Sequence, residues 1–300
     1  LPRGKRVLKI GYACKTIGVP NTGTKRCLMK NASEERLLEI IDHNLNSLEN
    51  TLDYAYKNEI GMFRICSELI PFGSSPVNRI HWWDVYKGRF IQIGDKIKQY
   101  GIRVSMHPGQ YTVLNSKNDE VAAKAAYDLC YHARVLDSLM LGPEHKIVLH
   151  VGGIYNNRKR SMERFITNYK LLDDSIRSRL VIENDDKCYC IKDVLNISEN
   201  IHIPVIYDYL HDIVNPGTDK KSHAEWILAC KKTWTKQDGI QKIHYSQQAP
   251  GKSAGSHSET IDIDKFLSFY NSIKSNNVDI MLEVKDKNLS AVKCIRAIKK

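Results

Sequence analysis

The chain has 300 residues, a formal net charge of +11 and a hydrophobic fraction of 42%, which allows a sizeable core. No apolar run approaches the roughly 18 residues of a membrane span, and none follows the basic LPRGKR start, so we expect neither membrane insertion nor a secretory leader. Eight cysteines without a CxxC pair favour free thiols in a reducing compartment. The large positive surplus favours a polyanionic partner, usually nucleic acid.

Short apolar runs alternate with longer amphipathic stretches along the chain. The apolar runs predict strands at 7–14, 62–68, 102–107, 146–152, 179–185, 203–211, 241–246 and 279–286. The amphipathic stretches predict helices at 33–58, 82–101, 119–141, 160–177, 191–199, 221–235, 262–276 and 288–298. Ser33 suits the start of the first helix, although Arg36 three residues later excludes a full capping box, and Gly101 suits the end of the second helix.

Strands that are apolar throughout are typical of a parallel sheet covered by helices. Eight strand–helix units in a chain of this length favour a closed (β/α)8 TIM barrel over a doubly wound sheet. The segment GVPNTGTK (18–25) lacks the glycine spacing that an open Rossmann sheet would need. No linker divides the chain, so we expect a single domain over 1–300, with the barrel over about 7–298.

Seven of the predicted strands end on or close to an ionisable side chain. These residues are Glu68, His107, His150, Glu183, Asp208, His244 and Glu283. In a parallel barrel the carboxyl ends of the strands converge on one face, so these side chains would become neighbours, with His211 and His257 just beyond them. Any one of these histidines alone would more often be a hydrogen-bonded core residue. The succession of six such strand ends from His107 to Glu283 is what predicts a site.

Carboxylates packed this closely repel one another and take up protons unless cations bind them. Mixed imidazole and carboxylate ligands suit zinc or manganese, whereas magnesium prefers oxygen alone. Eight candidate ligands exceed the needs of one tetrahedral ion, so the pattern predicts two or three ions that activate water for phosphodiester hydrolysis. Lys242 lies two residues before His244 on the same strand face, where it must be neutralised, paired or carbamylated, unless it simply reaches solvent.

Several motifs together resemble those of the ultraviolet damage endonucleases. They are RICSELIPFGSS (64–75), SMHPGQY (105–111), LHVGG (149–153), IENDD (182–186), YDYLH (207–211), the IHYSQQ to GSHSE stretch (243–259) and LEVKDK (282–287). The combination covers roughly residues 7–298 and is specific in this order, whereas each motif alone is weak. The resemblance implies a xylose-isomerase-like barrel, related in architecture to the endonuclease-four type of abasic-site nuclease.

The same resemblance implies the activity. Members of this family bind about three metal ions, usually taken as manganese, with zinc or magnesium as alternatives. They nick the strand directly 5′ of cyclobutane pyrimidine dimers and 6-4 photoproducts, and often of abasic sites. The implied partner is ultraviolet-damaged double-stranded DNA, and we expect a monomer without a membrane contact. The implied location is the cytoplasm or nucleoid of a prokaryote or the nucleus of a eukaryote.

Residue roles carry over from the family by position. The metal ligands match His107, His150, Glu183, Asp208, His211, His244, His257 and Glu283. The catalytic group matches Glu183, Glu283, Lys242, His244 and Lys285, with Lys242 at the position of a lysine thought to be carboxylated. Gln110 and Tyr111 match a lesion-probing pair, and Tyr12 a position near the DNA or the metals. Many relatives have a histidine where this chain has Ser75, which removes one contact to the first metal or the scissile phosphate.

The residues at the lesion-probing position suit that role. A photodimer weakens the stacking and pairing of its bases, so flipping them costs less than flipping normal bases. Gln110 can hydrogen-bond the orphaned bases, Tyr111 offers a stacking face, and Gly109 permits a tight loop. Without the metal site, this PGQY segment would be interpreted as an ordinary turn. Basic residues after the strands could line a phosphate-binding rim: Lys15, Lys25, Arg26, Lys117, Arg158, Lys159, Arg160, Lys220, Lys221 and Lys252.

Three other functions remain open on the sequence. An abasic-site endonuclease of the same fold would share the metal ligands and the basic charge. A two-metal sugar isomerase would share the ligands, but it would need neither the positive charge nor the exposed PGQY segment. A non-catalytic DNA-binding barrel would require lost ligands, and all eight are present.

Overall fold

Eight parallel strands form the centre of the protein in the computed structural model, which describes residues 8–299. They are β1 (Ile10–Ala13), β2 (Met62–Arg64), β3 (Arg103–Met106), β4 (Lys146–His150), β5 (Leu180–Glu183), β6 (Val205–Ile206), β7 (Lys242–Tyr245) and β8 (Asp279–Leu282). Val7, which the sequence predicts to begin the first strand, and the basic LPRGKR start lie outside the described residues.

The strand order β6-β5-β4-β3-β2-β1-β8-β7 is that of a barrel, because β1 pairs with β8 and all consecutive strands pair except β6 and β7. The last gap, between β6 and β7, is bridged just beyond β6. Here Asp208 forms a parallel bridge with His244, whose backbone N–H donates to the carbonyl of Tyr207 at 3.0 Å. The predicted (β/α)8 barrel is therefore confirmed as a nearly closed eight-stranded barrel with helices around it.

Helices cover the outside of this barrel. They are α1 (Glu34–Lys57), α2 (Trp82–Val85), α3 (Lys87–Gln99), α4 (Asp119–Ser138), α5 (Arg158–Lys170), α6 (Asp174–Arg177), α7 (Ile191–Ile201), α8 (Tyr209–Val214), α9 (His223–Lys231), α10 (Ile263–Ile273) and α11 (Asn288–Ile298). Short 3-10 helices span Met29–Asn31 and Lys274–Asn276. Within the part of the chain that the structure describes, no helix combines the length and apolar character needed to cross a bilayer.

The element boundaries differ from the predicted ones, most of all at two helices and two strands, one of which is β2 (Met62–Arg64 instead of 62–68). The helix predicted over 82–101 is two helices, α2 and α3, and the one predicted over 160–177 is α5 and α6. The strand predicted over 203–211 is only two residues long, since α8 begins at Tyr209. Apolar periodicity continues through each of these breaks, so it cannot reveal where the backbone turns.

Strand residues alternate between the outside and the inside of the barrel. The outward-facing ones, such as Leu149 and Ile182, join the main core between sheet and helices. Val148, Val181 and Ile206 form a separate apolar cluster, as expected for neighbours on the inner face. At the amino end of the barrel the buried charges are paired, for example Lys146 with Asp238 and Arg103 with Asp279. The carboxyl end is different and holds the site described below.

Ser33 caps α1, as its sequence context predicts. Its hydroxyl accepts from the backbone N–H of Arg36 at 3.2 Å, and Glu34 and Glu35 lie in the first turn. We expect Ser33→Ala to lower the free energy of unfolding by about 1 kcal/mol, because one N–H of the first turn loses its partner. Urea unfolding of the two proteins measures this, with Ser33→Asp as the control that keeps an acceptor. An unchanged midpoint for Ser33→Ala would contradict it.

Candidate metal centre

All eight predicted ligands lie toward the carboxyl end of the barrel. His150 and Glu183 end their strands, and His244 is the third of the four residues of β7. His211 lies in the first turn of α8, and the remaining four lie on the connections after the strands. Glu183, Asp208 and His244 are buried, and with Glu283, whose side chain is 13% exposed, they form the floor of this cluster. The other four imidazoles form an arc above it. Ring centroids along the arc are 5.1 Å apart for His107 and His150, 6.0 Å for His150 and His211, and 6.2 Å for His211 and His257.

Glu183 joins the two parts of the cluster. Its Oε1 lies 2.8 Å from His107 Nε2 and 3.3 Å from His150 Nε2. Its Oε2 lies 2.5 Å from His244 Nδ1, which is also 3.8 Å from Asp208 Oδ2. Two groups of potential metal ligands therefore share one carboxylate, the first completed by the two imidazoles of β3 and β4 and the second by His244 and Asp208.

Backbone carbonyls hold three of the arc's imidazoles in a common orientation. Nδ1 of His107 donates to the carbonyl of Pro108 at 3.0 Å, and Nδ1 of His211 donates to that of Asn184 at 2.9 Å. Nδ1 of His257 donates to the carbonyl of Glu283. A neutral ring with its proton on Nδ1 keeps the Nε2 lone pair for a metal ion. The arrangement therefore suits ligands that are already oriented for a cation.

Asn184 positions the central part of the site, a role that the sequence analysis missed. Its side chain accepts from the N–H of Asp208 at 2.8 Å and donates to the carbonyl of Asp208 at 3.0 Å. Asp208 in turn caps α8, because its Oδ1 accepts from the N–H of His211 at 2.9 Å. Its Oδ2 has no hydrogen-bond partner. One oxygen of this carboxylate is thus used by the fold and the other faces the site.

Arg64 at the end of β2 is a second missed residue. Its buried guanidinium donates to Glu283 Oε1 and lies 3.0 Å from His244 Nε2. The sequence did contain a signal for it, because Arg64 is a charged residue within an otherwise apolar strand. It lies two residues after Met62 and therefore on the same face of that strand. A cation on the inner face of a barrel needs an anionic partner, and Glu283 supplies it.

The pKa shifts of the buried carboxylates follow from these neighbours. Burial opposes ionisation of Glu183, but the neighbouring imidazoles, above all His244, hold its pKa well below its ordinary value. Burial also opposes ionisation of Glu283, yet Arg64 together with His244 and His257 lowers that pKa. For Asp208, burial and the other two carboxylates raise the pKa. A cluster that keeps ionised carboxylates in a buried space favours additional cations.

Unpartnered polar atoms show how well the residues fit metal ions. Asp208 Oδ2, His150 Nδ1 and Lys242 Nζ are buried atoms without a hydrogen-bond partner. Glu183 Oε2 and His244 Nδ1 lie 2.5 Å apart but do not have hydrogen-bond geometry, so they too are unsatisfied. Buried polar groups are normally paired, so a concentration of orphaned atoms at one end of a barrel calls for a missing partner. Divalent cations satisfy carboxylate and imidazole atoms together. Lys242 lies beneath His244 on β7, and its burial lowers the pKa of the amine well below its ordinary value.

Gln110 and Tyr111 lie at the rim of the same face, on the connection after β3. Both are exposed, Tyr111 to 72%. The Tyr111 ring lies over Gly109, where an added Cβ would come within 2.4 Å of the ring, so glycine leaves room for this packing. The predicted lesion-probing pair is thus available to a ligand in solution, and its role stays a prediction.

Two other predicted site residues lie elsewhere. Tyr12 is fully buried on β1, packs edge-on against Phe63 at 5.3 Å and contacts the Thr16 hydroxyl at 2.7 Å, so its side chain is not exposed to a ligand, and its role stays a prediction. It pairs with Phe63 of β2 and Leu282 of β8, which also belong to the core outside the barrel, so its side chain points outward to the helices. Lys285 is 52% exposed and pairs with Glu259 rather than with the cluster.

The loop after β2 also differs from its prediction. β2 ends at Arg64, so Glu68 lies four residues beyond the strand, exposed and paired with Arg26. Ser75 lies farther along this loop, where its hydroxyl accepts from the N–H of Val77 at 3.3 Å. All ten predicted rim cations are exposed on connections at the carboxyl face of the barrel or at the helix starts that follow them.

Comparison with known proteins agrees with this geometry. The chain matches the family described as UV-endonuclease UvdE over residues 8–300. It is 45% identical over 293 residues to a UV DNA damage endonuclease of Clostridium perfringens (strain 13 / Type A), covering 97% of this chain and 71% of the relative. It is 32% identical to a UV DNA damage endonuclease of Bacillus cereus (strain G9842), with 89% of this chain and 84% of the relative covered.

Solved structures extend the comparison to the fold. The crystal structure of SacUVDE superposes with a TM-score of 0.92 at 41% identity, covering 98% of both chains. Endonuclease IV from Thermus thermophilus superposes with a TM-score of 0.60 over 96% of this chain and 97% of its own, but at 12% identity this shows only a shared barrel. By its motifs, its fold and its relatives, this chain belongs to the UV-endonuclease UvdE family.

Proposed function

We propose that this protein is a metal-dependent DNA repair endonuclease that nicks the strand directly 5′ of ultraviolet photoproducts. The observation that supports this most strongly is that the Glu183 carboxylate belongs to two groups of potential metal ligands. Several atoms in these groups are buried without a hydrogen-bond partner. Membership of a family of UV DNA damage endonucleases supports a nuclease over a sugar isomerase. The net charge of +11 also supports a polyanionic substrate.

The ligand atoms suggest how the ions are held. Glu183 with His107 and His150 would hold one manganese ion, and Glu183 with Asp208, His244 and Glu283 a second. A third ion would be held by Asp208 with His211 and His257. Bound there, the metals supply an activated water or hydroxide and neutralise charge on the phosphodiester oxygens.

Lys242 completes the proposed site. Its Nζ is buried beneath His244 without a hydrogen-bond partner, so a carbamate formed from this amine and carbon dioxide, with loss of one proton, would place an anionic group among the ligands. Lys285 is proposed as a cation for a nearby phosphate, because its exposed side chain can leave Glu259 at little cost.

Lesion recognition is assigned to Gln110 and Tyr111, on a monomer that binds double-stranded DNA. Their exposure at the rim, beside a ring of basic residues, supports a role in holding the damaged bases out of the helix. In a bacterial cell this work would take place at the nucleoid. This chain has Ser75 where many relatives have a histidine. We therefore expect the eight proposed ligands to bind the metals without a contribution from this loop.

Tyr111→Ala is expected to lower kcat/KM on a duplex with one photodimer by about tenfold to a hundredfold, since one base–aromatic stack contributes about 1–3 kcal/mol. Metal content should remain unchanged, because Tyr111 lies at the rim and contacts none of the ligands. Tyr127→Ala on α4 removes another exposed tyrosine and serves as the control. Equal kinetics for Tyr111→Ala and the wild type would refute the assignment.

The proposed function is tested by nicking of supercoiled plasmid. Irradiated, abasic and untreated plasmids are each incubated with the protein and manganese, and again with excess chelator. Nicking that needs both irradiation and metal supports the proposal. Nicking of abasic plasmid alone would replace it by an abasic-site endonuclease. No nicking of either damaged plasmid would reject a nuclease role.

A further inference from the structure

We propose that Asp128 is a positioning residue for lesion recognition, which ties the loop carrying Gln110 and Tyr111 to the loop after β2. This inference rests on the proposed function. Asp128 belongs to α4, and it is buried, with 4% of its surface exposed. It is not among the metal ligands, and none of the sequence motifs explains it.

Each oxygen of the Asp128 carboxylate serves a different loop. Oδ2 accepts from the hydroxyl of Thr112 at 2.6 Å, and Oδ1 accepts from the hydroxyl of Ser74 at 2.8 Å. Hydrogen bonds to a carboxylate are shorter and stronger than those between neutral groups. One buried side chain therefore fixes two surface loops relative to the helix that supports both.

Thr112 is the buried base of the loop that carries Gln110 and Tyr111, here called the recognition loop. It follows Tyr111 directly, and its backbone N–H donates to the carbonyl of Gly109 at 2.9 Å, which closes the turn that projects Gln110 and Tyr111. Thr112 is 4% exposed, in contrast to the exposed ring beside it. The position of the Tyr111 ring is thus set by an anchor at Thr112, and the Asp128 carboxylate holds that anchor.

The second loop forms the opposite wall of a cavity. Tyr111, Asp128, Ser74 and Ser75 line a space of about 260 Å³ between the two loops. Because Asp128 contacts both walls, it determines how far apart they stand. Loss of one of its hydrogen bonds would let the recognition loop move, and each binding event would then have to order that loop again.

The Asp128 carboxylate can be changed without breaking the hydrogen bonds that connect α4 to the metal ligand His107. α4 also reaches His107 through His132 and the loop after β2: His132 Nε2 contacts the hydroxyl of Ser67 at 3.0 Å, and that hydroxyl donates to the His107 carbonyl at 2.7 Å. His132 Nδ1 contacts the backbone carbonyl of Asp128 at 2.6 Å and lies 3.8 Å from its carboxylate. A change of the carboxylate therefore leaves this second connection in place.

Thr112→Val and Thr112→Ser form a matched pair that tests the inference, since only the serine keeps the hydroxyl. On a duplex with one photodimer, Thr112→Val should raise KM by about tenfold, which corresponds to about 1.4 kcal/mol, with kcat within about twofold of wild type. Thr112→Ser should restore the wild-type KM. Asp128→Asn, which loses the charge and one acceptor oxygen, should raise KM in the same way with unchanged metal content.

The outcomes separate this inference from the proposed function. A wild-type protein that does not cut photodimer DNA would overturn the proposed function and this inference with it. If the wild type cuts, an unchanged KM in both Thr112→Val and Asp128→Asn would overturn only the inference. So would a failure of Thr112→Ser to restore KM, or a joint loss of kcat and metal content, because either would indicate a general structural role.

Discussion

Replacing Glu183 by glutamine is expected to lower the rate of photodimer-dependent nicking by at least about a thousandfold, or about 4 kcal/mol of activation free energy. Glu183 contributes to both groups of ligand atoms, so its loss would affect both of the proposed ion sites at once. An amide has the shape of the carboxylate but carries no charge, and its N–H₂ end is not a metal ligand. DNA affinity should stay within about threefold, because in the proposed function the basic residues of the rim, and not Glu183, contact the phosphates.

The measurement combines single-turnover nicking, DNA binding and metal content of the purified protein. Glu120→Gln makes the same chemical change at an exposed residue in the first turn of α4 and should leave all three unchanged. Nicking by Glu183→Gln at a rate within tenfold of wild type would contradict the proposed role of the cluster. Lost DNA affinity with a normal cutting rate on bound DNA would contradict it equally.

Replacing Arg64 by methionine is expected to destabilise the metal-free protein by about 3–5 kcal/mol at neutral pH, the usual cost of leaving one member of a buried ion pair alone. Glu283 would lose its cationic partner, and His244 would lose the guanidinium beside it. Manganese should recover part of the loss, because a bound cation again neutralises the Glu283 carboxylate.

Urea unfolding of the metal-free and manganese-loaded proteins tests this expectation. Arg36→Met is the matched control, since it breaks an exposed ion pair with Glu39 and should cost at most about 1 kcal/mol. A cost for Arg64→Met no larger than that of Arg36→Met would contradict the view that the buried pair stabilises the floor of the site.

The barrel could be predicted because its strands are short, apolar and regularly spaced by amphipathic helices. The convergence of strand ends then follows from the fold, which is why residues as distant in sequence as His107 and Glu283 could be expected to lie together. This rule alone was enough to predict that His150, Glu183 and Asp208, at or just beyond the ends of β4, β5 and β6, lie close together. Their contacts to one another depend on strand register, which the sequence pattern alone does not provide.

The features that could not be predicted from the sequence are those that depend on the direction of a side chain or on the exact end of a strand. Tyr12 faces the helices because it pairs with Phe63 and Leu282, and a one-residue slip of that register would turn it to the inside of the barrel. Arg64 is not predicted as a site residue because it lies within an apolar strand, although a buried charge requires a partner. Glu68 was expected at a strand end because the apolar run continues after the backbone has turned away.

The central claim is tested most directly by mapping the cut on a duplex that carries one cyclobutane dimer and a labelled damaged strand. With manganese present, the account predicts one product, cut immediately 5′ of the dimer, and no cut in the same duplex without the dimer. With excess chelator it predicts no product. A cut at another position, or the same cut without metal, would contradict the account.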